Sequence, residues 1–194
     1  GWRPRRIGER TWIGETGATW RNGFVIDHPI KAPEDVEDYI YPDPHAPGRM
    51  DHARIMVEEA NKYDMLTVAE VGGGLEYTIV HTIPLPKLVV FMYRYPFLAK
   101  RVINMVVDFS IEVGKALIDM GVPVILISND SGYKAGPMIS PKLFHEFISP
   151  TFNRQVNVFK KRGATAVILH CDGNVYPLLD DMVDSGIDGW HAIE

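Results

Sequence analysis

Residues 122–128 form an almost unbroken apolar run, which predicts a strand that is buried on both faces and belongs to a parallel sheet. Three further strands are predicted at residues 65–71, 164–169 and 188–193. Helical patterns fill the intervals, at residues 48–63, 75–83, 87–93, 96–120, 140–163 and 176–184. Alternating strands and helices with short turns imply an α/β fold with parallel strands and right-handed crossovers. A doubly wound sheet and a barrel both fit this order, but four strands cannot complete an eight-stranded barrel.

The first 47 residues have a different character. Two short strands are predicted at residues 12–19 and 20–26, separated and followed by glycine turns, as in a β-ribbon. A proline-rich connector follows, with a short helix predicted at 33–39. We therefore predict one domain over residues 1–194, with the ribbon and connector at 1–47 and the strand–helix repeats at 48–194.

Composition limits the function classes. The net charge of −5 leaves no basic surplus for phosphates, so nucleic-acid binding is not expected. No apolar run reaches the length of a membrane span. A single cysteine, Cys171, cannot form an internal disulfide, which favours a reducing compartment and a cytoplasmic location. The chain starts at Gly1 and stops at Glu194 directly after an apolar segment, so both ends are interpreted as cut.

Polar and ionisable side chains recur where the predicted strands end. They are Glu70 after the first strand, Asn129, Asp130, Tyr133 and Lys134 after the second, His170, Asp172 and Asn174 after the third, and Glu194 after the fourth. Ligands bind at the carboxyl ends of parallel strands in barrels and in doubly wound sheets. The sequence therefore predicts a site at this end of the sheet.

The loop after the third strand is the most informative. His170 and Asp172 are two residues apart, and imidazole nitrogen and carboxylate oxygen both suit zinc. The alternative is that Asp172 caps the next helix and His170 forms an internal hydrogen bond. Cys171 lies between them, so its side chain is expected to point the other way and to be buried.

The loop after the second strand has two interpretations. Asp130 could orient a substrate or act as general base, and Lys134 could meet an anionic group. The alternative is an Asx-turn that closes a tight loop. Glu70 and Glu76 are each left open between a site acid and a surface charge.

Two longer motifs resemble those of the uroporphyrinogen decarboxylase superfamily. The first runs from Asn129-Asp130-x-Gly132-Tyr133-Lys134 through Gly136-Pro137-Met138-Ile139-Ser140-Pro141. The second is His170-x-Asp172-Gly173-Asn174-x-x-Pro177-Leu178-Leu179-Asp180, which is followed by Gly186-Ile187-Asp188. The resemblance implies a (β/α)₈ barrel, present here as an incomplete barrel that lacks N- and C-terminal strands.

The superfamily includes the haem-pathway decarboxylase, which works without a cofactor, and zinc-dependent methyltransferases that work with corrinoid proteins. The methyltransferases carry His-x-Cys on the strand that ends here in His170, where this chain has His-x-Asp. An oxygen ligand donates less electron density to the metal than a thiolate. With His-x-Asp in place of His-x-Cys, two alternatives remain: a variant metal site and a pocket without a metal.

The resemblance implies as leading function a metal-assisted methyltransferase that works with a corrinoid (methylcobalamin) protein. His170 and Asp172 would hold zinc, and the catalytic residues would be Asp130, Tyr133 and Glu194. Substrate would be bound by Glu70, Asn129, Lys134 and Asn174. The alternatives are a metal-free decarboxylase of porphyrin biosynthesis and a non-catalytic barrel that docks a partner. A small-molecule substrate and a corrinoid protein are the expected partners, and a homodimer is left open.

Overall fold

The structure is a computed structural model, which describes residues 4–192. Its first part is an antiparallel sheet of four strands in the order β1–β2–β3–β4. The strands are β1 (Arg5–Gly8), β2 (Thr11–Ile13), β3 (Thr19–Arg21) and β4 (Phe24–Asp27). The prediction of two strands in this part was wrong. A turn closed by the Gly17 N–H and the Gly14 carbonyl splits the first, and β1 is exposed at every residue and has no hydrophobic pattern.

The proline-rich connector contains a single short helix, α1 (Asp35–Asp38), and leads to α2 (Asp51–Lys62). Several hydrogen bonds hold the ribbon and connector together and to the rest of the molecule, including the following three. The Ile30 N–H donates to the Thr82 carbonyl at 3.0 Å, and His28 Nε2 donates to the Ile79 carbonyl at 2.8 Å. The Tyr39 hydroxyl donates to the Thr16 carbonyl at 2.7 Å.

The remaining elements follow the predicted alternation. They are β5 (Val68–Gly72), α3 (Glu76–His81), α4 (Leu85–Arg94), α5 (Pro96–Asp119), β6 (Val124–Ser128), the small hairpin β7 (Gly132–Tyr133) and β8 (Gly136–Pro137), α6 (Pro141–Leu143), a π-helix (Phe144–Ile148), α7 (Ser149–Arg162), β9 (Ala166–His170), a 3₁₀ turn (Tyr176–Leu178), α8 (Leu179–Asp184) and β10 (Gly189–His191). Among the described residues, no helix is both long and apolar enough to cross a bilayer.

Strands β5, β6, β9 and β10 form one sheet in that order, and every neighbouring pair is parallel. The fold is therefore α/β with a parallel sheet, as predicted. Each new strand adds on the same side of the previous one, as in a barrel, whereas the strand order of a doubly wound sheet reverses. The four strands do not close into a barrel within residues 4–192.

The two faces of this sheet have different surroundings. One face is buried in the main core with α5 and α7, and its side chains are Val71, Ile125, Ile127, Val167 and Leu169. The alternate residues Glu70, Leu126, Ile168 and His170 lie on the other face and are at least partly exposed. The open face therefore carries the polar residues toward the carboxyl end of the sheet.

The helix predicted over residues 140–163 begins and ends as expected but is not continuous. The Ser140 hydroxyl accepts the Leu143 N–H at 3.3 Å as N-cap, and Gly163 ends α7 with φ 110°. Pro150 does not kink the helix interior as predicted. It lies in the first turn of α7, directly after the π-helix. Because proline has no N–H to donate, a regular α-helical ladder cannot run through it, and the chain takes a wider turn before it.

Candidate functional site

The ends of three parallel strands bring together the polar side chains of the site. Their pairing register aligns Ser128 of β6 with His170 of β9, and His170 with His191 of β10. Asp130 follows β6 by two residues, and Asp172 follows β9 by two residues. Loops that leave aligned strand ends start at the same level, so Asp130, His170 and Asp172 converge on one point.

The three side chains form a cluster that could hold a metal ion. His170 Nε2 lies 3.7 Å from Asp130 Oδ1 and 3.9 Å from Asp172 Oδ1. One ligand atom from each of the three residues falls within 4.8 Å of the others. The His170 side chain is 23% exposed and that of Asp172 is 52% exposed, so the cluster is open to solvent on one side.

These residues fit a zinc ion. Two ligands bound at about 2.1 Å with a near-tetrahedral angle are roughly 3.4 Å apart, close to the two distances from His170 Nε2. Imidazole and carboxylate are both ligands that zinc accepts, and three protein ligands leave a fourth position for water or substrate. Only small shifts of the Asp130 and Asp172 side chains are needed to bring all three groups to bonding distance.

The second nitrogen of His170 is held by a residue that sequence reasoning missed. His170 Nδ1 lies 2.8 Å from His191 Nδ1. One of these nitrogens must carry the proton and the other must accept it. With the proton on His170 Nδ1, its Nε2 presents a lone pair to the two carboxylates, which is the form that binds a metal. With the proton on His191 Nδ1, His170 Nε2 carries a hydrogen and can donate it to a carboxylate.

Asp130 is fixed by hydrogen bonds to its neighbours. Its Oδ1 accepts the Asp172 N–H at 2.9 Å, and its own N–H donates to Glu76 Oε2 at 3.0 Å. The Ser128 hydroxyl donates to the same Glu76 oxygen at 3.0 Å. Glu76, which the sequence left open between a site acid and a surface charge, is half-buried and joins the first turn of α3 to the end of β6.

Glu70 lies on the open face of the sheet, below the cluster. Its Oε1 accepts the Tyr77 hydroxyl at 3.3 Å. Burial raises the pKa of Tyr77 to about 12, and the nearby charges of Glu70 and Glu76 act in the same direction. Tyr77 therefore stays protonated at neutral pH and acts as a hydrogen-bond donor. A contact between Glu70 and substrate stays a prediction.

Asn129 lies beneath the site and is completely buried. Its Oδ1 accepts the N–H groups of Leu75 at 2.7 Å and Glu76 at 3.3 Å, so it satisfies the free donors at the start of α3. Its Nδ2 donates to the Ser131 hydroxyl at 2.6 Å. The structure thus gives Asn129 a structural role in the loop, and its predicted contact with substrate stays a prediction.

The Cys171 thiol points away from the cluster into the core, as the alternation predicts, and is fully buried. It accepts the Ser131 N–H at 3.2 Å. Burial raises the pKa of the thiol to about 11, and the nearby Asp130 and Asp172 charges also raise it. Because only the thiolate is a good nucleophile or ligand, Cys171 in this setting is a packing residue.

The other predicted site residues lie farther out. Tyr133 and Lys134 are exposed on the β7–β8 hairpin, and the Asn174 N–H donates to the Tyr133 carbonyl at 3.0 Å. Lys134, Asn174 and Trp190 line an open cavity of about 490 Å³. Contacts of these residues with a substrate stay predictions. Glu194 lies outside the described residues.

A model of a known protein family matches nearly the whole chain. The sequence model of a family described as uroporphyrinogen decarboxylase (URO-D) matches residues 19–192. Among solved structures, a methyltransferase from Methanosarcina mazei superposes with a TM-score of 0.69 at 22% sequence identity, over 86% of this chain and 48% of that one. This chain therefore spans about half the length of that structure. No curated protein sequence matches this chain.

Proposed function

Because the chain belongs to the uroporphyrinogen decarboxylase family, we propose that it is an enzyme of this family that transfers a methyl group with the help of a metal ion. The methyl carrier would be a corrinoid bound to a partner protein. We infer further that β5, β6, β9 and β10 are consecutive strands of the family's (β/α)₈ barrel. Two features support this: the strands follow one another across the sheet in chain order, and one face of the sheet is not covered by helices within residues 4–192.

One observation carries the proposal. The Nε2 atom of His170 faces the carboxylates of Asp130 and Asp172, while His191 holds its Nδ1 atom. A histidine that is oriented in this way through its second nitrogen is typical of metal ligands. A purely structural histidine in this loop would need neither the second carboxylate nor the partner histidine.

Each residue has a defined part in this arrangement. His170, Asp130 and Asp172 would hold the metal, which as a Lewis acid would polarise a bound oxygen or sulfur atom. His191 orients the His170 ring, and Glu76 fixes the backbone of the Asp130 loop. Tyr133, Lys134 and Asn174 lie in the segments that follow β6 and β9, and we expect them to contact substrate.

The ligand set favours one kind of substrate. Two carboxylates and one imidazole form a harder donor set than the His-x-Cys pattern, and they leave more positive charge on the metal. Compared with an ion held by thiolates, such an ion has a stronger preference for oxygen over sulfur. We therefore expect the group that gives or receives the methyl to present an oxygen atom.

The test is the zinc content of the purified protein, measured by elemental analysis after reloading and removal of excess metal. We expect near-stoichiometric zinc in the parent protein and its loss in His170→Ala and in Asp172→Asn. His145→Ala is the matched control, because His145 also contacts a carboxylate, Asp181 at 2.7 Å, but lies outside the cluster.

Demethylation of free methylcobalamin by an added alcohol, followed by absorbance, then tests the reaction itself. The methyl group would pass to the alcohol oxygen, which releases its proton, and the cobalt would keep the bonding electron pair as cob(I)alamin. We expect this demethylation to depend on zinc and on His170. A parent protein that takes up no zinc would contradict the proposal. Activity on a porphyrinogen in that metal-free protein would instead support the decarboxylase alternative, and inactivity with both would favour a docking role.

A further inference from the structure

A cavity of about 340 Å³ lies between the ribbon sheet and the helices next to β5. Its walls carry five aromatic side chains from five different segments: Trp12 of β2, Trp20 of β3, Tyr41 of the connector, Tyr77 of α3 and Phe109 of α5. None of the five is fully buried. Their rings therefore keep faces or edges that a ligand can reach.

Four of the five rings belong to two groups that are held by contacts between aromatic side chains. In the first, the His81 ring lies 5.8 Å from Trp20 and 5.1 Å from Tyr77, measured between centroids. In the second, Tyr41 meets Phe109 edge-on at 5.3 Å. Because these contacts join Trp20 to α3 and Tyr41 to α5, these parts of the walls are formed before any ligand arrives.

The charged side chains in the walls cancel one another. Arg49 forms a bidentate ion pair with Glu15, donates to the Asp43 carbonyl at 2.9 Å, and lies 4.9 Å from the centre of the Phe109 ring. Burial lowers the pKa of His81, so its ring is neutral at neutral pH. A charged ligand would lose its hydration in this cavity without finding an unpaired opposite charge.

We propose that this cavity binds an uncharged, single-ring aromatic compound. The volume is at the lower end of that of small-molecule sites, which suits one ring rather than several. Aromatic rings gain about 0.5–1.5 kcal/mol from edge-to-face or offset contacts beyond their buried area, and the cavity offers such partners in both groups.

The cavity and the candidate metal centre share part of one helix. Tyr77 packs so closely on the end of β5 that a Cβ atom at Gly72 would lie 2.3 Å from its ring. The adjacent residue, Glu76, is the one that bonds the Asp130 backbone. An aromatic ligand against Tyr77 would thus contact the helix that also carries Glu76. That this ligand is the enzyme's substrate rests on the proposed function, whereas its binding does not.

The test compares four probes of similar size by isothermal titration calorimetry with the purified protein. They are phenol, cyclohexanol, benzoate and benzyltrimethylammonium. We expect phenol to bind most tightly. Phe109→Leu should weaken phenol binding about two- to tenfold, the loss of one ring contact. Phe97→Leu is the matched control, because Phe97 is on the same helix α5 but is 76% exposed and distant from the cavity lining.

Equal binding of cyclohexanol and phenol would overturn the preference for an aromatic ring. Tighter binding of benzoate or benzyltrimethylammonium would overturn the preference for an uncharged ligand. An affinity for phenol that is the same in Phe109→Leu and Phe97→Leu, with both variants folded by circular dichroism, would place the ligand elsewhere. Measured in the same way, His170→Ala should bind phenol as the parent does, so a failure of the metal proposal leaves this result unaffected.

Discussion

The side-chain oxygen of Asn129 accepts the backbone N–H of Leu75 at 2.7 Å, across 54 positions of sequence. This bond joins the loop after β6 to the start of α3, and both groups are buried. Asn129→Ala would leave the Leu75 N–H without a partner, at a cost of about 1–3 kcal/mol in the free energy of unfolding. Urea denaturation measures this change in the free energy of unfolding. Asn157→Ala on the exposed side of α7 is the control, with a change of no more than about 0.5 kcal/mol; equal effects would contradict the role of Asn129.

Gly73 lies against the same asparagine. A Cβ atom at position 73 would lie 2.4 Å from Asn129 Cβ, so Gly73→Ala forces the two loops apart. We expect a loss of about 1–3 kcal/mol, typical of overpacking, together with lower zinc affinity because the Asp130 loop moves. Thermal melting and zinc titration check the two effects. Gly189→Ala is the comparison, since its nearest neighbour would be 3.8 Å away. A Gly73→Ala protein as stable as Gly189→Ala would show that the loops yield freely.

His191 is expected to act on the metal through His170. Replacing it with phenylalanine keeps a ring but removes the nitrogen that lies 2.8 Å from His170 Nδ1. Loss of such an orienting partner typically lowers metal affinity about tenfold to a hundredfold. Competition with a zinc chelator measures this affinity. His52→Phe, on the exposed side of α2, should leave it unchanged. An unaltered zinc affinity in His191→Phe would show that the histidine pair does not orient the ligand.

Two partly buried histidines, His28 and His81, should make stability depend on pH. Burial lowers the pKa of His81, and also that of His28, below the ordinary value of 6.5. The unfolded chain therefore binds protons more readily than the folded one at these positions. The free energy of unfolding is unaffected well above pH 6.5 and falls as the pH drops below it. His81→Phe should flatten this dependence, as measured by urea denaturation between pH 7.5 and 5.5. An equal slope in parent and variant would contradict it.

The parallel sheet could be predicted because its strands are apolar runs between well-marked helices. The strand predicted at residues 122–128 starts two residues before β6 and ends at the same residue. Gly121 and Gly163 follow the ends of α5 and α7, as expected. The ribbon was harder, because β1 (Arg5–Gly8) is exposed along its length and is stabilised by backbone pairing rather than burial. Periodicity of apolar residues contains no signal for such a strand.

Part of the candidate site could also be predicted. His170 and Asp172 are close in sequence, so their spacing was compatible with a metal pair, with a helix cap and an internal hydrogen bond as the alternative. Asp130 lies next to them because β6 and β9 are parallel neighbours in the sheet. The sequence could not predict this contact, because no sequence pattern shows which strands pair. His191 was missed for a similar reason. The predicted strand ran to residue 193, which placed this histidine inside a strand instead of at its end, opposite His170.

The π-helix at Phe144–Ile148 has a consequence for how the length of this chain can vary in evolution. A π turn is wider than an α turn, so it can accommodate one extra residue without shifting the helix that follows. Here the extra residue is absorbed before α7, and Phe152 and Phe159 remain in the core. A one-residue deletion within this turn would remove the extra residue, while Pro150, which has no N–H, would still leave one helical hydrogen bond unmade. Among relatives, we therefore expect single-residue gaps to be tolerated at this position and not within α7.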